Sequence, residues 1–241
     1  MERDRDVEAT LSSRSYRVGA AVQESAPPSI VMLRGLMSTD IEIALSRLEQ
    51  DFPEDAAGKF AALLDELERW NERVNLTGIR DPQDMITRHL SDSLVARPLL
   101  KGKRVLDVGT GAGFPGLPLA IAEPERSFEL VDSNNKKIMF VSHAAGLLGL
   151  SNVTVVKSRS EDYAPAERFD TVIARAVAAL PRLIEIAGHH VGEGGVFVAL
   201  KGRFPAEELK LVPDTWEYSV TELDVPGLEQ GSRHAVLMQP K

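Results

Sequence analysis

The run Asp107-Val-Gly-Thr-Gly-Ala-Gly-Phe-Pro-Gly116 concentrates residue types suited to one kind of chemistry. Glycines at 109, 111 and 113 let a backbone turn tightly and approach a ligand with no Cβ in the way. A helix opening at Gly116 would present free N–H groups and the positive end of its dipole to that ligand. Asp132 lies twenty-three residues after Gly109, at the end of an apolar run. There its carboxylate can accept hydrogen bonds from both hydroxyls of a ribose. Loop and acid together point to a nucleoside cofactor. Gly111-x-Gly113-x-x-Gly116 also matches the dinucleotide fingerprint, so the glycines alone leave a nicotinamide oxidoreductase open.

A second group precedes the loop: Trp70-Asn71, Asn75-Leu76-Thr77, Arg80-Asp81-Pro82, and Arg88-His89 with Asp92-Ser93. Asn71 and Asn75 are one helical turn apart and would share a face. The group reads either as a hydrogen-bonded network tying helices to the following domain or, through Asn75 and His89, as substrate-positioning side chains.

The elements that must hold these residues can be read from periodicity. Residues 1–36 show no sustained period and read as a disordered leader. Residues 37–100 read as a helical subdomain of three amphipathic helices. Thr39 and Glu42 have capping-box spacing ahead of Ile41, Ala44, Leu45, Leu48 and Phe52. Phe60, Leu63, Leu64, Leu67, Trp70 and Val74 form a second stripe, and Asp81-Pro82 supplies an N-cap and a first-turn proline for a third helix. From residue 101 onward, strand-like runs at 104–109, 127–132, 153–157, 169–175 and 195–201 are rich in Val and Leu, as in strands buried on both faces. Helical stretches at 116–123, 135–149, part of 159–166 and 179–191 alternate with them, which gives an α/β doubly wound domain over 101–241. Runs at 216–223 and 233–239 are separated by only nine residues, too few for a crossover helix, so they pair antiparallel. A seven-stranded sheet with an antiparallel last strand, together with the D-V-G-x-G-x-G opening, resembles class I S-adenosylmethionine-dependent methyltransferases.

Composition narrows the acceptor. The chain has no cysteine, which excludes disulfides, a thiolate zinc site and the cysteine nucleophile that carbon-five methylation of a pyrimidine generally needs. Exocyclic-amine methylation typically uses an Asp/Asn-Pro-Pro-Tyr/Phe box after the fourth strand, where this chain has Ala174-Arg175-Ala176-Val177. A ring nitrogen, a carboxylate or an activated oxygen remains. The net charge of −8 argues at first against nucleic acid. Yet residues 37–70 net −6 and 214–241 net −3, while 71–213, which carry the motifs, net +1. Arg159, Arg175, Lys201 and Arg203 follow strand ends, where doubly wound folds bind ligands, and Arg233 joins them as a candidate RNA contact. No apolar run is long enough to span a membrane, and a soluble, cytoplasmic, monomeric protein is expected.

RWNERVNLTGIRDP, RHLSDSL, LDVGTGAGFPGLPLA, LVDSNNKK, SRSEDY, FDTVIARAVA, ALKG and the late Arg233-His234 pair occur in one order over about residues 60–240. In this the chain closely resembles the bacterial small-subunit ribosomal RNA guanine methyltransferases of the glucose-inhibited division protein B family. The resemblance implies S-adenosylmethionine as cofactor and 7-methylguanosine in 16S rRNA, or in the small ribosomal subunit, as product, with no metal. It also implies cofactor contacts from Gly109 and Phe114, from Asp132, from Ser160 and Glu161, and from Arg175, which could alternatively hold an RNA phosphate. Phe114 stands where related sequences often have Leu. The guanine N7 carries an in-plane lone pair and no proton, so positioning should outweigh base catalysis.

Overall fold

The computed structural model describes residues 15–16, 39–229 and 231–241. The apolar runs form five mutually parallel strands: β2 (Arg104–Val108), β3 (Ser127–Asp132), β4 (Val153–Lys157), β5 (Phe169–Arg175) and β6 (Val191–Lys201). Their side chains alternate between two apolar layers. Val105, Phe128, Leu130, Ile173 and Val198 belong to one; Leu106, Val108, Val131, Val172 and Phe197 belong to the other. The first layer is covered by α2 (Ala56–Asn71), α5 (Gly116–Ala122) and α6 (Asn135–Leu147), the second by α7 (Leu180–Ala187). β8 (Arg233–Pro240) runs antiparallel between β6 and β7 (Trp216–Leu223), as the short connection requires. A two-residue strand, β1 (Ser15–Tyr16), pairs antiparallel with the outer edge of β4, giving the order β1-β4-β3-β2-β5-β6-β8-β7. The rest of the expected leader lies outside the described residues.

The N-terminal helices share the core of the sheet. Helix α1 (residues 39–46) buries Ile41 and Leu45, then stops short of Leu48 and Phe52 as Glu49 turns to φ 51°. Phe60, Leu63, Leu64 and Leu67 of α2 are fully buried in the cluster that holds Val105 and Phe128, about 1.5–3 kcal/mol of transfer free energy each. Next, α3 (Pro82–Met85) is capped by Asp81, whose carboxylate accepts the Asp84 N–H at 3.0 Å. It widens into a π-helical stretch, Ile86–Ser91, and ends as α4 (Asp92–Leu94). A π turn inserts a residue relative to α spacing, re-aims the side chains beyond it, and is frequent at functional sites.

Two expectations are corrected and one element is added. Residues 159–166 form no helix: only single turns close there, Asp162 N–H onto the Arg159 carbonyl and Tyr163 N–H onto that of Ser160. β6 starts at Val191 rather than 195, with a register shift between Phe169 and Thr171 on its partner. The four-residue α8 (Ala206–Leu209) is too short to show a period and was not expected.

Candidate active site

Two cavities open at the carboxyl ends of the parallel strands. The first, about 240 Å³, is lined by Gly109, Asp132, Lys137, Arg159, Ser160, Glu161 and Val177 among others. Gly109 has φ 65°, and a Cβ there would lie 2.7 Å from Val177 Cγ2, so only glycine fits. The Asp132 carboxylate accepts the Gly111 N–H at 3.0 Å through one oxygen and the Asn134 N–H at 2.7 Å through the other, and so ties the loop to the end of β3. Ser160 is buried, its hydroxyl without a partner among the described residues, while its carbonyl accepts from His190 Nε2 at 2.9 Å. Burial holds the His190 pKa below its ordinary value. Glu161 and Arg159 are exposed on the rim, and Arg182 reaches Glu161 at 3.4 Å.

Asp107 underlies the loop, and sequence reasoning treated it only as the first letter of a motif. It is fully buried, and one carboxylate oxygen accepts from the Thr110 hydroxyl at 2.6 Å and from the Gly116 N–H at 2.9 Å. Burial pushes its pKa up to about 6, against the pull of those two hydrogen bonds. The available signal was an acid inside an otherwise apolar strand. Gly113 turns toward Leu117 rather than the cavity. Phe114 also lies away from it, against His89.

The second cavity, about 350 Å³, is lined by Arg88, His89, Asp92, Arg175, Lys201, Arg233 and His234 among others. Ala176, at φ 55°, lines both cavities and marks where they meet. Asp92, 6% exposed, accepts from Arg175 Nη1 at 2.8 Å and from Arg233 Nε. This carboxylate, a member of the Arg88-to-Ser93 group read from the sequence as a network tying helices to the following domain, joins the segment after the π-helical stretch to β5 and β8. Arg175 also donates to the Arg88 carbonyl at 3.3 Å and lies 5.8 Å from the Phe114 ring centroid. It therefore lines the second cavity and not the first, on the side of the expected RNA contacts.

His89 stacks on Phe114 with ring centroids 4.7 Å apart, and its Nε2 lies 2.9 Å from Thr77 Oγ1. Burial first, then the Arg175 charge, push its pKa down to about 4, so the ring is neutral near pH 7. Thr77 is held in turn: Asn71 Oδ1 accepts the Leu76 and Thr77 N–H groups at 2.8 and 3.0 Å, and Asn71 Nδ2 donates to the Thr77 carbonyl at 2.9 Å. Asn75 takes no part in this. Helix α2 ends at Asn71, so Asn75 lies exposed in the following loop and shares no helical face with it.

Lys201 lines the second cavity, but its ammonium is engaged, donating to the Ala178 carbonyl at 2.8 Å and to Glu208 at 2.7 Å. The same Glu208 oxygen accepts the Leu180 N–H at 2.7 Å. Lys201 and Glu208 thus strap the loop that carries Ala176 and Val177. Arg203 is exposed on the loop after β6. The lining holds four cations, Arg88, Arg175, Lys201 and Arg233, to the carboxylate of Asp92, and with Glu208 beside Lys201 and Asp84 beside Arg88 the hollow remains slightly positive in an acidic chain. Among the described residues no cluster of His, Asp or Glu is arranged to hold a metal, and no helix is long and apolar enough to cross a membrane.

A parallel sheet closed by an inserted antiparallel strand, with a glycine loop and an acid at the ends of its first two parallel strands, defines a class I S-adenosylmethionine-dependent methyltransferase. Among solved structures, the glycopeptide N-methyltransferase MtfA complexed with S-adenosyl-L-methionine shares this fold, with TM-score 0.55 at 11% identity, covering 64% of this chain and 87% of that one. The ribosomal protein L11 methylase of Lactobacillus delbrueckii subsp. bulgaricus gives TM-score 0.50 at 20% identity, covering 68% and 81%. Within that class, residues 56–236 match the family model GidB, rRNA small subunit methyltransferase G, and the chain belongs to this family. The ribosomal RNA small subunit methyltransferase G of Idiomarina loihiensis is 42% identical over 211 residues, covering 87% of this chain and 98% of its own. That of Vibrio vulnificus is 48% identical over 179 residues, covering 73% and 83%.

Proposed function

We propose that this chain transfers a methyl group from S-adenosylmethionine to N7 of a guanine in the 16S rRNA of the small ribosomal subunit, acting as a cytoplasmic monomer. In this reading the fold over 101–241 holds the cofactor, and helices within 37–100 complete the acceptor side. The observation that carries it is the meeting of the two cavities at Ala176, one suited to a nucleoside and the other cationic.

The first cavity fits the cofactor on its own terms. Gly109 keeps the loop clear of side chains, Asp132 offers a carboxylate for ribose hydroxyls, and the buried Ser160 hydroxyl lacks a partner among the described residues. When bound, S-adenosylmethionine supplies a methyl group on a positively charged sulfur. The residues here bind, orient and exclude water. Of the titratable groups lining the second cavity, Asp92 is engaged by two guanidinium groups and His89, its Nε2 against Thr77, has its pKa pushed down to about 4, while His234 Nδ1 has no partner among the described residues. Positive charge grows on the guanine during transfer, and a neutral His89 adds no repulsion to it.

Mapping 7-methylguanosine in ribosomal RNA from a strain lacking this gene tests the proposal. The modification should vanish at one position and return when the gene is restored. An unchanged modification map would defeat the reading.

A further inference from the structure

We propose that Phe204 is a stacking platform for an RNA nucleobase beside the acceptor cavity. The inference rests on the rRNA-methylation reading and adds a positioning residue to it. Phe204 is 55% exposed and belongs to neither apolar cluster of the fold. A single exposed ring is ordinary in itself; what sets Phe204 apart is its place at the edge of the acceptor cavity. It follows Gly202, which lines the acceptor cavity, and Arg203, which is exposed. Its ring meets His234, a wall of that cavity, edge to face with centroids 5.6 Å apart. The edge contact steadies the ring, and more than half of the residue stays open to solvent.

The surroundings specify the partner. Exposed Arg203 stands next to the ring in the chain, and Arg88, itself about half exposed, lines the same cavity. An apolar face among cations suits a polyanion with flat π surfaces and is poorly matched to an aliphatic protein patch. A guanine reached by an enzyme must leave its own stack, and unstacked bases in RNA are commonly taken up on aromatic rings. Phe204 thus receives either the extruded guanine or the base beside it.

The test uses the whole chain with assembled small ribosomal subunits and tritiated S-adenosylmethionine. Phe204→Ala and Phe204→Leu should each lower kcat/KM for subunits by roughly tenfold to a hundredfold, the usual span for loss of one stacked base. Phe204→Trp should retain wild-type turnover, and all three should keep the wild-type melting temperature and cofactor affinity. Full activity in the Leu variant would overturn the platform, because apolar bulk would then suffice. Benzoylphenylalanine at position 204, photolysed on subunits, should cross-link to rRNA; a cross-link to a ribosomal protein instead would overturn the proposal. If the wild-type chain methylates no guanine in subunits or rRNA, the functional reading itself falls. If it does and the variants match it, only the platform falls.

Discussion

Asp107 and His89 are both buried and titratable, and acid acts on them in opposite directions. The His89 pKa is lowered to about 4 in the fold against 6.5 for an unperturbed ring. Its contribution to stability is therefore complete above about pH 6.5 and lost as pH falls toward 4. The Asp107 pKa is raised to about 6 from 3.8, so its contribution is complete below the lower value and lost as pH rises through the upper one. Over much the same window the two trends offset each other in the wild type. Relative to wild type, His89→Gln should gain melting temperature as pH drops from 6.5 to 4, and Asp107→Asn should gain it as pH rises from 4 to 7. Parallel melting profiles for wild type and variants would refute both assignments. Asp132 poses a simpler case. Asp132→Ala removes a charged acceptor from the nucleoside cavity and should weaken S-adenosylmethionine binding about tenfold to a hundredfold, as befits hydrogen bonds to a charged group. Calorimetric titration should report that loss with the folded state intact.

At the level of elements, the loop between β5 and α7 forms part of both cavities and is held down by Lys201 and Glu208. Lys201→Met should raise KM for the cofactor and lower kcat on rRNA together, each by roughly threefold to tenfold. A pure phosphate contact would leave cofactor affinity untouched, so steady-state kinetics on both substrates separate the two roles. Lys201 was legible as a cation after a strand; its partner was not, because the four-residue α8 carries no period from which a helix could be read. The strands were legible to within a residue or two because a sheet covered on both faces demands unbroken apolar runs. β6 is the exception, since Gly192, Gly194 and Gly195 mask its start. Arg175 was legible only in part for a related reason. Position after β5 places it at the correct end of the sheet, but only Asp92, eighty-three residues earlier, decides which cavity it faces. Asp92→Ala would leave two guanidinium groups, each about a fifth exposed, without their carboxylate. A loss on the order of 3 kcal/mol in denaturant unfolding is expected.

For the whole molecule, the distribution of charge matters more than its sum. The acidic excess lies at 37–70 and 214–241, while 71–213, which supplies most of the lining of both cavities, nets +1, with exposed Arg159 and Arg203 at the strand ends. Catalytic efficiency on subunits should therefore fall with rising salt despite the net −8. Arg159→Ala or Arg203→Ala should each flatten the log–log salt slope by about 0.7–0.9, the signature of one phosphate contact, when kcat/KM is measured across a salt series. Unaltered slopes would place those arginines off the RNA path. The Asp92–Arg233 pair also orders events during synthesis. Its partners are 141 residues apart, so the acceptor wall closes only after the last strand has left the ribosome, whereas the glycine loop and Asp132 are complete more than a hundred residues earlier. A nascent chain of this protein thus presents Gly109 and Asp132 well before Asp92 can meet Arg233, and the acceptor wall is the last part of the site to close.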